Sequence, residues 1–130
     1  MSKRLLDYSL LACFPNNKKK YFSLTGQTSA VLLKADLTLN TLNDCQTLFR
    51  DYADDINDSH LCVGGNTRSD SCDGDSGGPL FAAATHNGRT RIVQYALVSF
   101  GVAQCGAIEQ YPAVYTNIVK QLPWISNNIA

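Results

Sequence analysis

Long apolar runs, close cysteine pairs and a basic stripe are all missing from this 130-residue chain, and each absence removes a class of function. No stretch approaches the roughly 20 apolar residues that a membrane-spanning helix needs. Eleven basic residues balance eleven acidic ones, and Lys18-Lys19-Lys20 reads as a solvated loop tip. That leaves no electrostatic footprint for nucleic acid or an acidic membrane surface. No two cysteines stand in a C-x-x-C pair, which argues against zinc and thioredoxin-type chemistry. Histidine is scarce: His60 and His86 are the only two. Internal repeats, linkers and low-complexity segments are missing too, so residues 1–130 read as one domain. A chain of this length buries roughly two thirds of its unfolded surface.

An export signal is also hard to find. Met1-Ser2-Lys3-Arg4 is basic, but the apolar run from Leu5 to Ala12 is short and broken by Asp7. Leu10-Leu11-Ala12-Cys13 mimics a bacterial lipoprotein cleavage site and fails on the same ground. What is present nonetheless points outward from the cell. Five cysteines are many for this size and suit disulfides in an oxidising compartment, with one thiol left unpaired or bonded to another polypeptide. Asn57-Asp58-Ser59 is an N-glycosylation sequon, weak evidence in the same direction.

The stretch with most chemistry is Asp70-Ser71-Cys72-Asp73-Gly74-Asp75-Ser76-Gly77-Gly78-Pro79-Leu80. Gly74 and Gly77-Gly78 permit backbone angles and approaches that a side chain blocks, so amide N–H groups can converge beside the Ser76 hydroxyl. Cleavage of a peptide or ester by a serine passes through a tetrahedral oxyanion, which such pre-placed donors stabilise. Short Gly, Asp and Ser strings also make ordinary surface turns, and the length of this one weighs against that. Gly74 to Gly78 also satisfies the G-x-S-x-G elbow of α/β-hydrolases, but Pro79 follows closely, no helical polar face extends from Leu80 to Ala84, and His86 comes too soon after the serine.

Around this stretch the patterns are mostly those of strands. Tyr21 to Gly26 is rich in aromatic and β-branched residues, and Val31 to Asn40 alternates apolar and polar. Leu42, Cys45, Leu48 or Phe49, and Tyr52 recur at helical spacing, which predicts a short amphipathic helix from Thr41 to about Ala53. Asn87-Gly88 signals a hairpin with a return strand from Ile92 to Phe100. Ile118, Leu122, Ile125 and Ile129 predict a terminal helix with Pro123 tolerated in its first turn.

The segment from Asp70 to Leu80 resembles the nucleophile segment of the chymotrypsin and trypsin family of serine endopeptidases, and matched motifs extend from Cys13 to Ile125. The resemblance implies an all-β fold, an antiparallel six-stranded Greek-key barrel with a short internal helix and a C-terminal helix. This would be the second half of a two-barrel domain whose first barrel is absent. It implies Ser76 as nucleophile, the N–H groups of Gly74 and Ser76 as oxyanion hole, and Asp75 as partner of the amine released on zymogen cleavage. Asp70 would lie at the base of a specificity pocket taking Arg or Lys. Ser99-Phe100-Gly101 resembles the segment that pairs with a substrate strand, although Phe100 also suits a core aromatic. Ala113 replaces the usual glycine in Tyr111 to Thr116 and would narrow the pocket entrance.

Disulfides implied by the same resemblance join Cys45 to Cys62 and Cys72 to Cys105. Cys13-Phe14-Pro15 resembles the segment whose cysteine bonds a light chain or clip domain upstream, which makes Cys13 the odd thiol. A further family bridge is missing at both ends, where Phe22 and Ala82 stand. The family uses no cofactor and no metal, acts on protein or peptide substrates, and is extracellular, and the arthropod clip-domain type fits best. Its triad histidine and aspartate come from the first barrel. His60 and His86 read as surface residues, so the chain is expected to be inactive alone, with a non-catalytic binding module as the alternative.

Overall fold

The computed structural model describes residues 8–14, 31–53, 55–65, 70–72, 74–102 and 111–129, with backbone alone for 8–14 and 31–33. Seven strands and two helices follow the chain: β1 Tyr8–Phe14, β2 Val31–Leu37, β3 Leu39–Asn40, α1 Leu42–Phe49, β4 His60–Gly64, β5 Pro79–His86, β6 Arg89–Phe100, β7 Pro112–Asn117 and α2 Ile118–Asn128. The strands make one antiparallel sheet in the order β2-β1-β5-β6-β7-β4-β3.

Local chemistry accounts for most of these elements. Asn87 and Gly88 take positive φ angles of 49° and 72°, the backbone of a tight two-residue hairpin turn between β5 and β6. Thr41 caps α1: its hydroxyl accepts from the Asp44 N–H while Asp44 Oδ2 accepts from the Thr41 N–H at 3.0 Å, a reciprocal capping box. Asn117 starts α2 by accepting from the Val119 N–H at 3.1 Å.

Alternation along the strands then builds two apolar clusters. Ala35, Leu37, Val63, Leu80, Ala82, Ala96, Val98, Ala113 and Tyr115 fill the sheet interior. Cys45, Phe49, Ile56, Cys62 and Val114 form a second cluster under α1. Neighbouring residues of β4 and β7 therefore serve different clusters, because successive side chains leave a strand on opposite faces. The Cys45–Cys62 disulfide, with Cα atoms 5.8 Å apart, fastens α1 to β4 as expected.

The expected mostly-β antiparallel fold with two helices is present, as a seven-stranded sheet, and four local expectations are adjusted. Val31 to Asn40 is not one uninterrupted strand: the Thr38 carbonyl accepts from Gly64 N–H at 2.8 Å, and the chain passes there from pairing with β1 to pairing with β4. The first helix stops at Phe49, because the Tyr52 and Ala53 N–H groups both turn back to the Phe49 carbonyl, and Tyr52 is left 87% exposed. Pro123 is not in the first turn of α2 but its sixth residue, since Asn117 starts the helix five residues earlier than a proline at its head requires. Tyr8–Phe14 forms a strand that the sequence reading did not assign, and Tyr21 to Gly26, which it did assign, lies outside the described residues.

Candidate active site

The loop from Asp70 to Gly78 is held by short hydrogen-bonded closures among its described residues. Asp75 N–H donates to the Cys72 carbonyl at 2.9 Å while the Cys72 N–H donates to Asp75 Oδ2 at 2.8 Å. Gly78 N–H returns to the Asp75 carbonyl at 2.8 Å. Two further bonds tie the loop to β6: Gly77 N–H to the Val98 carbonyl and Val98 N–H to the Gly78 carbonyl, both at 2.9 Å. The amides of Asp75, Gly77 and Gly78 are thus committed, whereas those of Gly74 and Ser76 have no partner among the described residues. Gly74 and Gly77 reach φ of 96° and 81°, angles that the loop needs and a side chain resists. Ser76 is exposed and Asp75 buried, and the chain runs from them into β5, a strand. A nucleophile elbow leads into a helix, so that reading fails here.

Beside the loop, close approaches of small residues line a candidate slot. An added Cβ on Gly64 would stand 3.8 Å from Asp70 Oδ1, which places Asp70 next to the end of β4. The same Oδ1 accepts from the Ser71 N–H at 2.8 Å. An added Cβ on Gly101 would meet the Ala113 Cβ at 3.1 Å, so Gly101 and Ala113 face each other at close range. The pairing of β6 with β7 shifts register between Val98 and Phe100, which sets Ser99 out of the ladder just before this slot. Phe100 does two things at once. Its ring packs edge-on against Phe49 at 5.4 Å, and it stays about one third exposed.

Two residues of this site went unread in the sequence. Ser71 is buried beside Asp70, and Tyr115 is fully buried with its hydroxyl close to Ser71 but in no well-formed hydrogen bond among the described residues. Burial pushes the Tyr115 hydroxyl far above its ordinary pKa, the charges of Asp70 and Asp75 add to the shift, and the nearby Ser71 hydroxyl opposes it. A buried tyrosine whose hydroxyl needs a partner is the signal that sequence reading had available.

The two histidines lie at strand ends. His86 ends β5, seven residues beyond Pro79 and so about 23 Å along the strand. His60 begins β4, four residues and about 13 Å before Gly64, and its Nδ1 accepts from the Asn57 N–H at 3.2 Å. Cys72 is disulfide-bonded, and its expected partner Cys105 lies outside the described residues. Cys13 belongs to β1, where only the backbone is described. Among the described residues no cluster of three or more His, Cys, Asp or Glu could hold a metal, and no helix is long and apolar enough to cross a membrane.

The family model for trypsin matches residues 16–125. Serine protease grass of Drosophila melanogaster is 40% identical over 107 residues, 81% of this chain and 27% of that protein. Phenoloxidase-activating factor 3 of Holotrichia diomphalia is 42% identical over 96 residues, 74% of this chain and 26% of that one. Among solved structures, the Drosophila Grass clip serine protease aligns with a TM-score of 0.69 at 34% identity, covering 95% of this chain and 32% of its own. Mouse neuropsin, a serine protease, shares the fold with a TM-score of 0.71 at 24% identity, over 100% of this chain and 51% of its own. The chain spans about a quarter of the length of the curated relatives it matches. A serine on an exposed loop anchored to an antiparallel sheet, and a family match over most of its length, make this chain a member of the trypsin family of serine proteases.

Proposed function

We propose that residues 1–130 are the nucleophile-bearing half of a secreted serine endopeptidase that cleaves after Arg or Lys. The observation that carries this reading is the division of amides in the loop, in which those of Gly74 and Ser76 have no partner among the described residues while those of Asp75, Gly77 and Gly78 do. Ser76 Oγ attacks the scissile carbonyl, and the two amides receive the oxyanion. Asp70, at the closed end of the slot behind Gly101 and Ala113, pairs with a cationic side chain, while Ser99-Phe100-Gly101 holds the substrate backbone as an added strand. The Ala113 methyl narrows the way in. Asp75, buried with its Oδ2 accepting from the Cys72 N–H, takes the ammonium group freed on activation.

Closure of the sheet belongs to the same proposal. β2 and β3 stand at its two ends, yet only Thr38 separates them, so one bent segment joins both edges in a six-stranded Greek-key barrel. A first barrel supplies the histidine and aspartate of the triad, and α2, with Trp124 66% exposed and no residue buried, offers a face for it. Cys13 bonds to an upstream light chain or clip domain.

The chain alone is therefore inactive, and its activated parent cleaves Arg and Lys peptide esters. In the parent, Ser76→Ala lowers turnover by a factor on the order of 10⁶, the loss seen where a triad has been dissected. Asp70→Ser removes the preference for basic residues. Ser76-dependent turnover by the isolated chain overturns the proposal. A parent that binds a basic peptide without cleaving it returns the reading to a non-catalytic module.

A further inference from the structure

The one sequence motif that the protease reading leaves unused is Asn57-Asp58-Ser59, the chain's only Asn-x-Ser/Thr. Its geometry is that of a turn held from behind and open in front. Asn57 is exposed, and its carbonyl accepts from His60 N–H at 2.9 Å. Its side-chain Oδ1 accepts from Ser59 N–H, also at 2.9 Å. That occupies the oxygen of the side-chain amide and leaves Nδ2 without a partner among the described residues. The rear of the turn is fixed to the start of α2 three times. Asn117 N–H donates to the Ser59 carbonyl at 2.8 Å, Asn117 Nδ2 donates to the Asp58 carbonyl at 3.1 Å, and Lys120 Nζ pairs with Asp58 Oδ2 at 2.8 Å. A bulky group on Nδ2 therefore displaces no packed residue when the turn closes. The turn also precedes β4, whose opposite end, about 13 Å away along the strand, lies beside Asp70.

We infer that Asn57 is an N-glycosylation site, modified as the chain enters the secretory pathway. Nδ2 bonds to the anomeric carbon of an oligosaccharide carried on a lipid diphosphate. The carbon–oxygen bond to the diphosphate breaks, the diphosphate leaves with the electron pair, and one Nδ2 proton goes to a base of the transferase. The inference shares with the proposed function only passage through that pathway, and two disulfides suit the same compartment.

The test expresses the chain behind an export signal in insect cells and treats the secreted protein with a peptide:N-glycosidase, which hydrolyses the side-chain amide and leaves aspartate at position 57. The expected result is one glycan lost from the mass and Asp in place of Asn in the peptide that contains residue 57. Asn57→Gln and Ser59→Ala both abolish the modification, whereas Ser59→Thr keeps it, a rescue that a purely structural role of Ser59 does not produce. Secreted chain with Asn57 unmodified overturns the inference, as does a glycan that persists in Asn57→Gln. Because transfer takes place on the nascent chain, a variant that folds poorly is still scored from the cell lysate. Neither outcome depends on Ser76, so failure of the protease reading is seen separately.

Discussion

The two apolar clusters face each other across β4 and β7 but are built on different terms. The one under α1 is sealed: a disulfide, Phe49, Ile56 and Val114 meet without a buried polar group. The interior one carries Tyr115, whose hydroxyl lies close to Ser71 but in no well-formed hydrogen bond among the described residues. An unpartnered buried hydroxyl lowers stability, because water would have satisfied it. The contrast teaches that the chain separates fastening from buried polarity: the α1 side ties helix to strand by a disulfide, and the interior holds the buried hydroxyl.

Substitutions can break that contrast, beginning with the largest effect. Leu80→Ala removes a fully buried side chain next to the loop and should lower stability by about 2 to 5 kcal/mol in a urea titration. Replacing Cys45 and Cys62 together by Ala opens the sealed cluster and should cost about 2 to 4 kcal/mol by the same measurement. Tyr115→Phe is the sharper case. Deleting a hydroxyl that has no well-formed hydrogen bond should change stability by less than about 1 kcal/mol and in the stabilising direction, whereas a loss above that would mean the hydroxyl is paired.

The smallest effect is far from both clusters. A hydrogen bond from Lys120, and then its charge, hold the Asp58 carboxyl below its ordinary value. The folded chain therefore prefers the ionised form, and this support is complete above the ordinary value of 3.8 and disappears as pH falls through the lowered one. Asp58→Asn should separate from the unsubstituted chain only above about pH 4, by an amount that salt reduces.

How much of this was legible follows the physics of each segment. The segment from Asp70 to Leu80 made the family legible through its resemblance to the nucleophile segment, although short Gly, Asp and Ser strings alone also make ordinary turns. The α1 helix was visible in its spacing, and only its end was misplaced, since nothing in Tyr52 announces that its N–H turns back to Phe49. Tyr8–Phe14 was hidden because Leu10 to Phe14 is continuously apolar, a pattern shared by buried strands and by the core of an export signal. Ser71 and Tyr115 were missed for another reason. They lie far apart in sequence, and only β7 lying beside β6 and β4 brings the tyrosine to the aspartates.

The bonds from Gly77 and Gly78 to Val98 have a consequence for chain length. They fix the start of β5 against the end of β6, while the other end of this hairpin, from Arg89 to Gln94, is exposed and stands clear of the interior. Residues can be added or removed at the Asn87-Gly88 tip in matched pairs, one on each strand, without changing which atoms meet at Val98. An unpaired insertion has no such freedom, because it turns every following side chain to the opposite face and moves the anchor of Ser76 with it. Variation in length at the tip should therefore come in even steps.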